Sequence, residues 1–197
     1  MTLSNEYLIF DIETVPIAFD DRDIIDYLIA KQTDRSFHPF FAKIVAIGVK
    51  RPGQDPITWA ADDEKQLLEE FWTFIGANRP RLFVSFNGMG FDVPFLVTRS
   101  IVHDVVPTIV IDTNKWRLEQ GNHFDLMIAL TDKWGIGWVK FEIMSRVMGI
   151  DIPADAIAGH QVADLHEAGD WDSIKKHNQQ DLEITEQLFL KVRKFFF

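Results

Sequence analysis

The 197 residues predict an α/β protein, with a central mixed sheet in which an antiparallel meander is continued by parallel strands and helices pack on it. Two observations point there. Apolar strand-like runs come first, strand and helix then alternate, and helical periodicity closes the chain. In addition, "YLIFDI" (7–12) is apolar at both parities apart from one acid, as a strand buried on both faces of a sheet requires. A hydrophobic content of 47% and a charged content of 25% are ordinary for a globular protein with a sizeable core. No internal repeat, low-complexity tract or linker divides the sequence, so a single domain over 1–197 is expected.

The elements follow in order. After the strand at 7–12, "DDRDIIDYLIAKQ" (20–32) reads as an amphipathic helix with an acidic first turn. "KIVAIGV" (43–49) is a second strand, and "PITWA" (56–60) a third that closes the meander. Residues 62–78 place Leu67, Leu68, Phe71, Trp72 and Ile75 at helical spacing behind an acidic start. "LFVSF" (82–86) is a short buried strand ending in the turn signal "NGMG", and a helix begins at about Asp92. "TIVI" (108–111) reads as another strand. Helices are expected over 123–134, 139–149 and 171–194, with an irregular Gly- and Asp-containing stretch between the last two.

Charge and composition narrow the function. A net charge of −10 argues against a general polyanion binder, though not against an enzyme that grips a few nucleotides through bound metal. Arg79 with Arg81, and Lys175 with Lys176, are the local basic pairs that would face a phosphate backbone if they are not simply solvated. Zero cysteines exclude disulfides and thiolate metal sites and fit a reducing cytoplasm. No apolar run approaches 18 residues, so no membrane partner is expected, and the first residues lack the pattern of a secretory signal. His160 and His166, the closest histidine pair, sit in an acidic stretch without zinc-site spacing.

The chemistry concentrates in acids at the ends of apolar elements. Asp11 and Glu13 end the first strand two residues apart, so they share a face, and two buried carboxylates side by side require a cation. In the helix at 171–194, Ile174, Asp181 and Leu188 are seven apart, which puts Asp181 on the inward stripe with His177 one turn before it. A His–Asp pair stabilising the helix by a few tenths of a kcal/mol is the plainer account of those two. Asp92 follows the Gly-rich turn and precedes Pro94, where an N-cap is the plainer account. Together, four such acids suit a pair of octahedral Mg²⁺ or Mn²⁺ ions that clamp a phosphoryl displacement.

At these residues the chain resembles a known group. "FDIET", "NGMGFD" and "HNQQD" resemble the three exonuclease motifs of the DEDD superfamily, 3′–5′ exonucleases on a ribonuclease-H-like fold. The likeness is greatest to stand-alone proteins related to the proofreading domain of family-B DNA polymerases, and it runs from residue 7 to about 190. It implies that Asp11, Glu13, Asp92 and Asp181 hold two Mg²⁺ or Mn²⁺ ions. It also implies release of nucleoside monophosphates from a free 3′ end of single-stranded DNA or RNA, DNA being favoured. Asn87, Phe91 and Thr14 would contact substrate, and Asp125 of "HFDLM" would support the site. One departure stands out: His177 is four residues before Asp181, where the superfamily has Tyr at four or His at five. A histidine there can accept a proton near neutral pH. Neighbouring carboxylates would raise its pKa and bound metal would lower it, so sequence leaves the sign open.

Two other classes compete. A haloacid-dehalogenase-type phosphatase would need Asp where Glu13 stands. A non-catalytic nucleic-acid-binding relative of the same fold would be expected to have lost at least one of the four acids.

Overall fold

The computed structural model describes residues 6–31, 35–154 and 156–197. Five strands form one sheet in the order β3-β2-β1-β4-β5, with β1 Tyr7–Pro16, β2 Ala42–Lys50, β3 Ile57–Ala60, β4 Leu82–Ser85 and β5 His123–Asp125. The β1–β2 and β2–β3 pairs are antiparallel, and the β1–β4 and β4–β5 pairs are parallel. The mixed sheet flanked by helices is the architecture the sequence predicts.

The central strand sorts its side chains by parity. Leu8, Phe10 and Ile12 enter a core formed with helices α2 Glu64–Asn78 and α3 Asp92–Val102. Tyr7 and Ile9 enter the opposite core, with Leu182, Leu188 and Phe189 of the C-terminal helix, α7 Trp171–Val192. Asp11 and Glu13 share the parity of Tyr7 and Ile9 and so face α7, the decisive consequence of period 2 at this site. The β1–β2 register shifts after Glu13, where Ala46 pairs with Glu13 and Ile44 with Thr14, leaving Val45 as the extra residue of a bulge.

On the α2–α3 side, Glu64 opens α2 and is buried. Its two oxygens share the Arg99 Nε–H (2.9 and 3.1 Å), one of them accepts from Arg99 Nη2 (2.6 Å), and the carboxylate also accepts from the backbone N–H of Ile44. His103 adds a contact of 2.7 Å, so one buried carboxylate joins α2, α3 and β2.

Five sequence expectations change. The helix of 20–32 is α1 Arg22–Lys31, none of whose residues is buried, and residue 32 lies outside the described part. Residues 108–111 are not a strand. Ile111 is buried and Val110 is 84% exposed, so the alternation is real, but the edge of β4 is already paired with β5. The expected helix of 123–134 opens as β5 and continues as α4 Leu126–Leu130 and a 3₁₀ turn, Asp132–Trp134. The predicted helix of 139–149 is α5 Phe141–Val147, and a short helix, α6 Val162–Glu167, lies in the stretch expected to be irregular.

Candidate active site

The sequence around each acid explains its placement. β1 carries Asp11 and Glu13 on the α7 face. α7, capped by Asp170 through Ser173 N–H, presents His177, Asn178 and Asp181 to them. It can lie so close because Gly48 of β2 stands opposite Asp11: a Cβ there would fall 1.8 Å from Asn178 Oδ1 and 2.6 Å from Leu182 Cδ1. Asn178, fully buried, donates from Nδ2 to Asp11 Oδ2 at 2.9 Å and accepts from Thr58 Oγ1 at 2.9 Å.

Asp92 arrives from the other side of the sheet. It is the first residue of α3, and Phe91 occupies the cap position without a side-chain capping bond. The Asp92 carboxylate does not cap its helix but accepts from the backbone N–H of Ile12 at 3.1 Å, which anchors it to β1 between Asp11 and Glu13. The turn before α3 is held by β5. Asp125 accepts from the N–H groups of Asn87 (3.0 Å), Met89 (2.9 Å) and Ile128 (3.1 Å). Next to it, Ser85 Oγ accepts from Gly88 N–H at 3.1 Å and lies 2.8 Å from His123 Nε2. His123 Nδ1 lies 2.9 Å from the Asp112 carbonyl, which fixes Nδ1–H as donor and makes Nε2 the acceptor of the Ser85 hydroxyl. Asn87 itself takes φ 63°, the left-handed conformation that asparagine tolerates.

The assembled groups are electrostatically strained. Burial, then repulsion by neighbouring carboxylates, raises Asp11 and Glu13 well above the usual carboxylate range. Burial pushes Asp92 up to about 7, and burial with Asp11 and Glu142 pushes Asp181 up to about 8, although the Asp181 side chain keeps 28% exposure. Burial lowers the pKa of His177, with Glu142 acting against it. His177 Nε2 is 3.6 Å from Glu13 Oε1 and 3.8 Å from Asp181 Oδ2, too far for hydrogen bonds. Donor atoms of Glu13, His177 and Asp181 all lie within 4.8 Å of one another. Glu13 Oε1 and His177 Nδ1 are buried without a hydrogen-bond partner. Two acidic oxygens at that spacing, one of them orphaned, fit a cation better than they fit one another, and the imidazole stands beside them.

The other sequence candidates are sorted by position. Asn87, Phe91 and Thr14 line the cleft over the carboxylates, and Thr14 Oγ1 also donates to the Ser36 carbonyl. Arg79 and Arg81 flank the entry to β4 beside Tyr7, at the opposite end of β1 from the acids, and Arg81 pairs with Glu6. His160 lines the cleft, whereas His166 contacts Asp62 at 2.9 Å. Asn178, Gly48 and Glu142 were not singled out from the sequence. The glycine inside an apolar strand was the available signal for a close approach; Glu142 offered none.

Residues 38–196 match the model of a family described as predicted 3′–5′ exonucleases related to the exonuclease domain of PolB, so Asp92, His177 and Asp181 lie inside the match and Asp11 and Glu13 outside it. An uncharacterized protein of Methanocaldococcus jannaschii is 31% identical over 161 residues, 77% of this chain and 86% of that protein. The catalytic polypeptide of DNA polymerase epsilon from Dictyostelium discoideum is 34% identical over 108 residues, which is 49% of this chain but 4% of that polypeptide. The family B DNA polymerase of the hyperthermophilic archaeon Pyrobaculum calidifontis matches in structure with a TM-score of 0.69 at 19% identity, over 96% of this chain and 24% of the polymerase. That likeness shows the fold, a ribonuclease-H-like α/β sheet flanked by helices. With the family match spanning all but the first 37 residues and the last, the chain belongs to the family of predicted 3′–5′ exonucleases related to the exonuclease domain of PolB.

Proposed function

We propose that the protein is a metal-dependent 3′–5′ exonuclease that releases nucleoside 5′-monophosphates from the 3′ end of single strands, DNA in preference to RNA. The observation that supports this most is the convergence of four carboxylates from β1, α3 and α7, all with raised pKa values, of which Asp11, Glu13 and Asp181 line a cleft reached from solvent and Asp92 is buried beside them. Such a set is stabilised by cations, and oxygen donors with no thiolate suit Mg²⁺ or Mn²⁺. Asp11, Glu13, Asp92 and Asp181 would hold the ions. When bound, the ions supply charge neutralisation and Lewis acidity at the scissile phosphate. His177 is proposed to take the proton of the attacking water, a role supported by the position of its Nε2 among the carboxylates without a hydrogen bond to either. The water oxygen bonds to phosphorus, the 3′ oxygen of the preceding nucleotide departs, and the mononucleotide keeps the phosphate.

The test is an end-labelled single strand, DNA or RNA, with Mg²⁺ or Mn²⁺. Stepwise shortening from the 3′ end is expected, abolished by EDTA and by Asp11→Asn, with a circular strand untouched. Undiminished release by Asp11→Asn, or degradation of the circle at the linear rate, would overturn the proposal.

A further inference from the structure

The cleft over the carboxylates has a volume of about 730 Å³, and much of its wall is aromatic. On one side stand Phe37 and Phe91, edge to face with ring centroids 6.0 Å apart. Trp138 and Phe141 also line it, and Phe141 packs on Phe86 at 4.8 Å. Among these rings Trp138 is the anomaly. It is 71% exposed and makes no hydrogen bond or ring contact among the described residues. Trp134, four residues earlier, is anchored by its indole N–H to the Ala129 carbonyl at 2.9 Å. Nothing in the folding of the chain requires an indole at 138, and leaving its large apolar faces in water is unfavourable. The residue stands two positions before Lys140, the N-cap residue of α5, and α5 carries Glu142 toward Asp181 and His177.

Charge cannot supply much of the grip on a strand here. Single-strand affinity from phosphate contacts grows with the number of Lys and Arg side chains offered. Among the described residues that line this cleft, Lys140 is the one lysine or arginine, against Asp11, Glu13, Glu142 and Asp181. An unpaired base has an aromatic face whatever its identity, and stacking on a protein ring needs no positive charge.

We propose that Trp138 is the stacking platform for an unpaired nucleobase of the strand whose 3′ end reaches the carboxylates, and that stacking outweighs phosphate contacts in holding it. The platform rests on the exonuclease function proposed above and assigns to Trp138 the preference for unpaired ends. It is a specificity-determining residue and takes no part in the bond-breaking step.

The test is the fluorescence anisotropy of a 5′-fluorescein-labelled oligothymidylate, and of the same oligomer with abasic 3′ residues, titrated with the protein in EDTA, which preserves the strand. Trp138→Ala is expected to weaken binding of the thymine oligomer by about 5- to 150-fold and to leave the abasic oligomer unaffected, with Trp138→Phe between. The slope of log Kd against log salt should stay at or below about 1.4, the value for two single-strand phosphate contacts. Equal loss for both oligomers, no loss for either, or a slope of several units would overturn the platform. Nucleotide release by the wild-type protein is measured separately. Release without base-dependent binding overturns the platform alone, and base-dependent binding without release overturns the exonuclease proposal while the platform stands.

Discussion

His177 is 4% exposed, lies 3.6 and 3.8 Å from two carboxylate oxygens, and leaves Nδ1 unbonded. A merely structural His–Asp pair on a helix would close to hydrogen-bond distance; this one does not. Replacing it by Ala should therefore slow nucleotide release by about 10²–10⁴-fold, the usual worth of general-base help, while the Mn²⁺-induced rise in melting temperature persists. Tyr at this position keeps a hydroxyl on the same helix face and should recover part of the rate with an altered pH profile. A His177→Ala variant that keeps its full rate and pH profile would reduce the residue to a neighbour of Asp181. The four-residue spacing that brings His177 and Asp181 to one face was legible in the sequence, because helical geometry alone fixes it. Asn178 was not, since its buried amide acquires meaning only when Asp11 and Thr58 arrive from strands more than a hundred residues away in sequence.

Among the elements, α7 packs closely on β2 behind the acids. Gly48→Ala would drive a methyl group into Asn178 and Leu182, both fully buried, and Asn178 is tied to Asp11 and Thr58. Overpacking of this kind costs about 1–3 kcal/mol. In a chain of this size that is roughly 2–4 °C of melting temperature per kcal/mol. Weaker Mn²⁺ binding should accompany the loss, because the helix that carries Asp181 must shift. An unchanged melting temperature and Mn²⁺ affinity would mean that α7 slides freely over β2. The same element scale explains what sequence reading missed. The run 108–111 is short and mostly apolar, whereas 123–125 is His-Phe-Asp with one apolar residue, so local pattern favours the run that does not become the fifth strand. The choice is made by side chains at long range: His123 meets Ser85 and Asp125 meets the turn at Asn87 and Met89, so the second run takes the edge of β4.

For the molecule as a whole, the acids beneath the cleft make stability depend on pH and metal in a direction that can be worked out. Asp92 at about 7, Asp181 at about 8, and Asp11 and Glu13 well above the usual range are all raised in the folded state. A raised carboxylate contributes stability that is fully present below its unfolded pKa, near 4, and lost as pH rises through its folded value. Two histidines act in the opposite sense. His123, lowered by burial to about 4, contributes stability present above about 6.5 and lost as pH falls through about 4. His177, also lowered, adds to that acid-side loss. With EDTA present, the melting temperature should therefore fall between pH 6 and pH 9, by about 5 °C or more if the carboxylate contribution exceeds about 2 kcal/mol. Asp11→Asn, which removes one buried charge, should flatten that fall and raise the melting temperature at the alkaline end. Metal needs the ionised carboxylates, so Mn²⁺ should stabilise the wild type more at pH 8.5 than at pH 6. A metal-free melting temperature that stays level or climbs from pH 6 to pH 9, with an Mn²⁺ increment independent of pH, would show that the carboxylates do not repel one another in the folded protein. The proposed ion site would then lose its electrostatic basis.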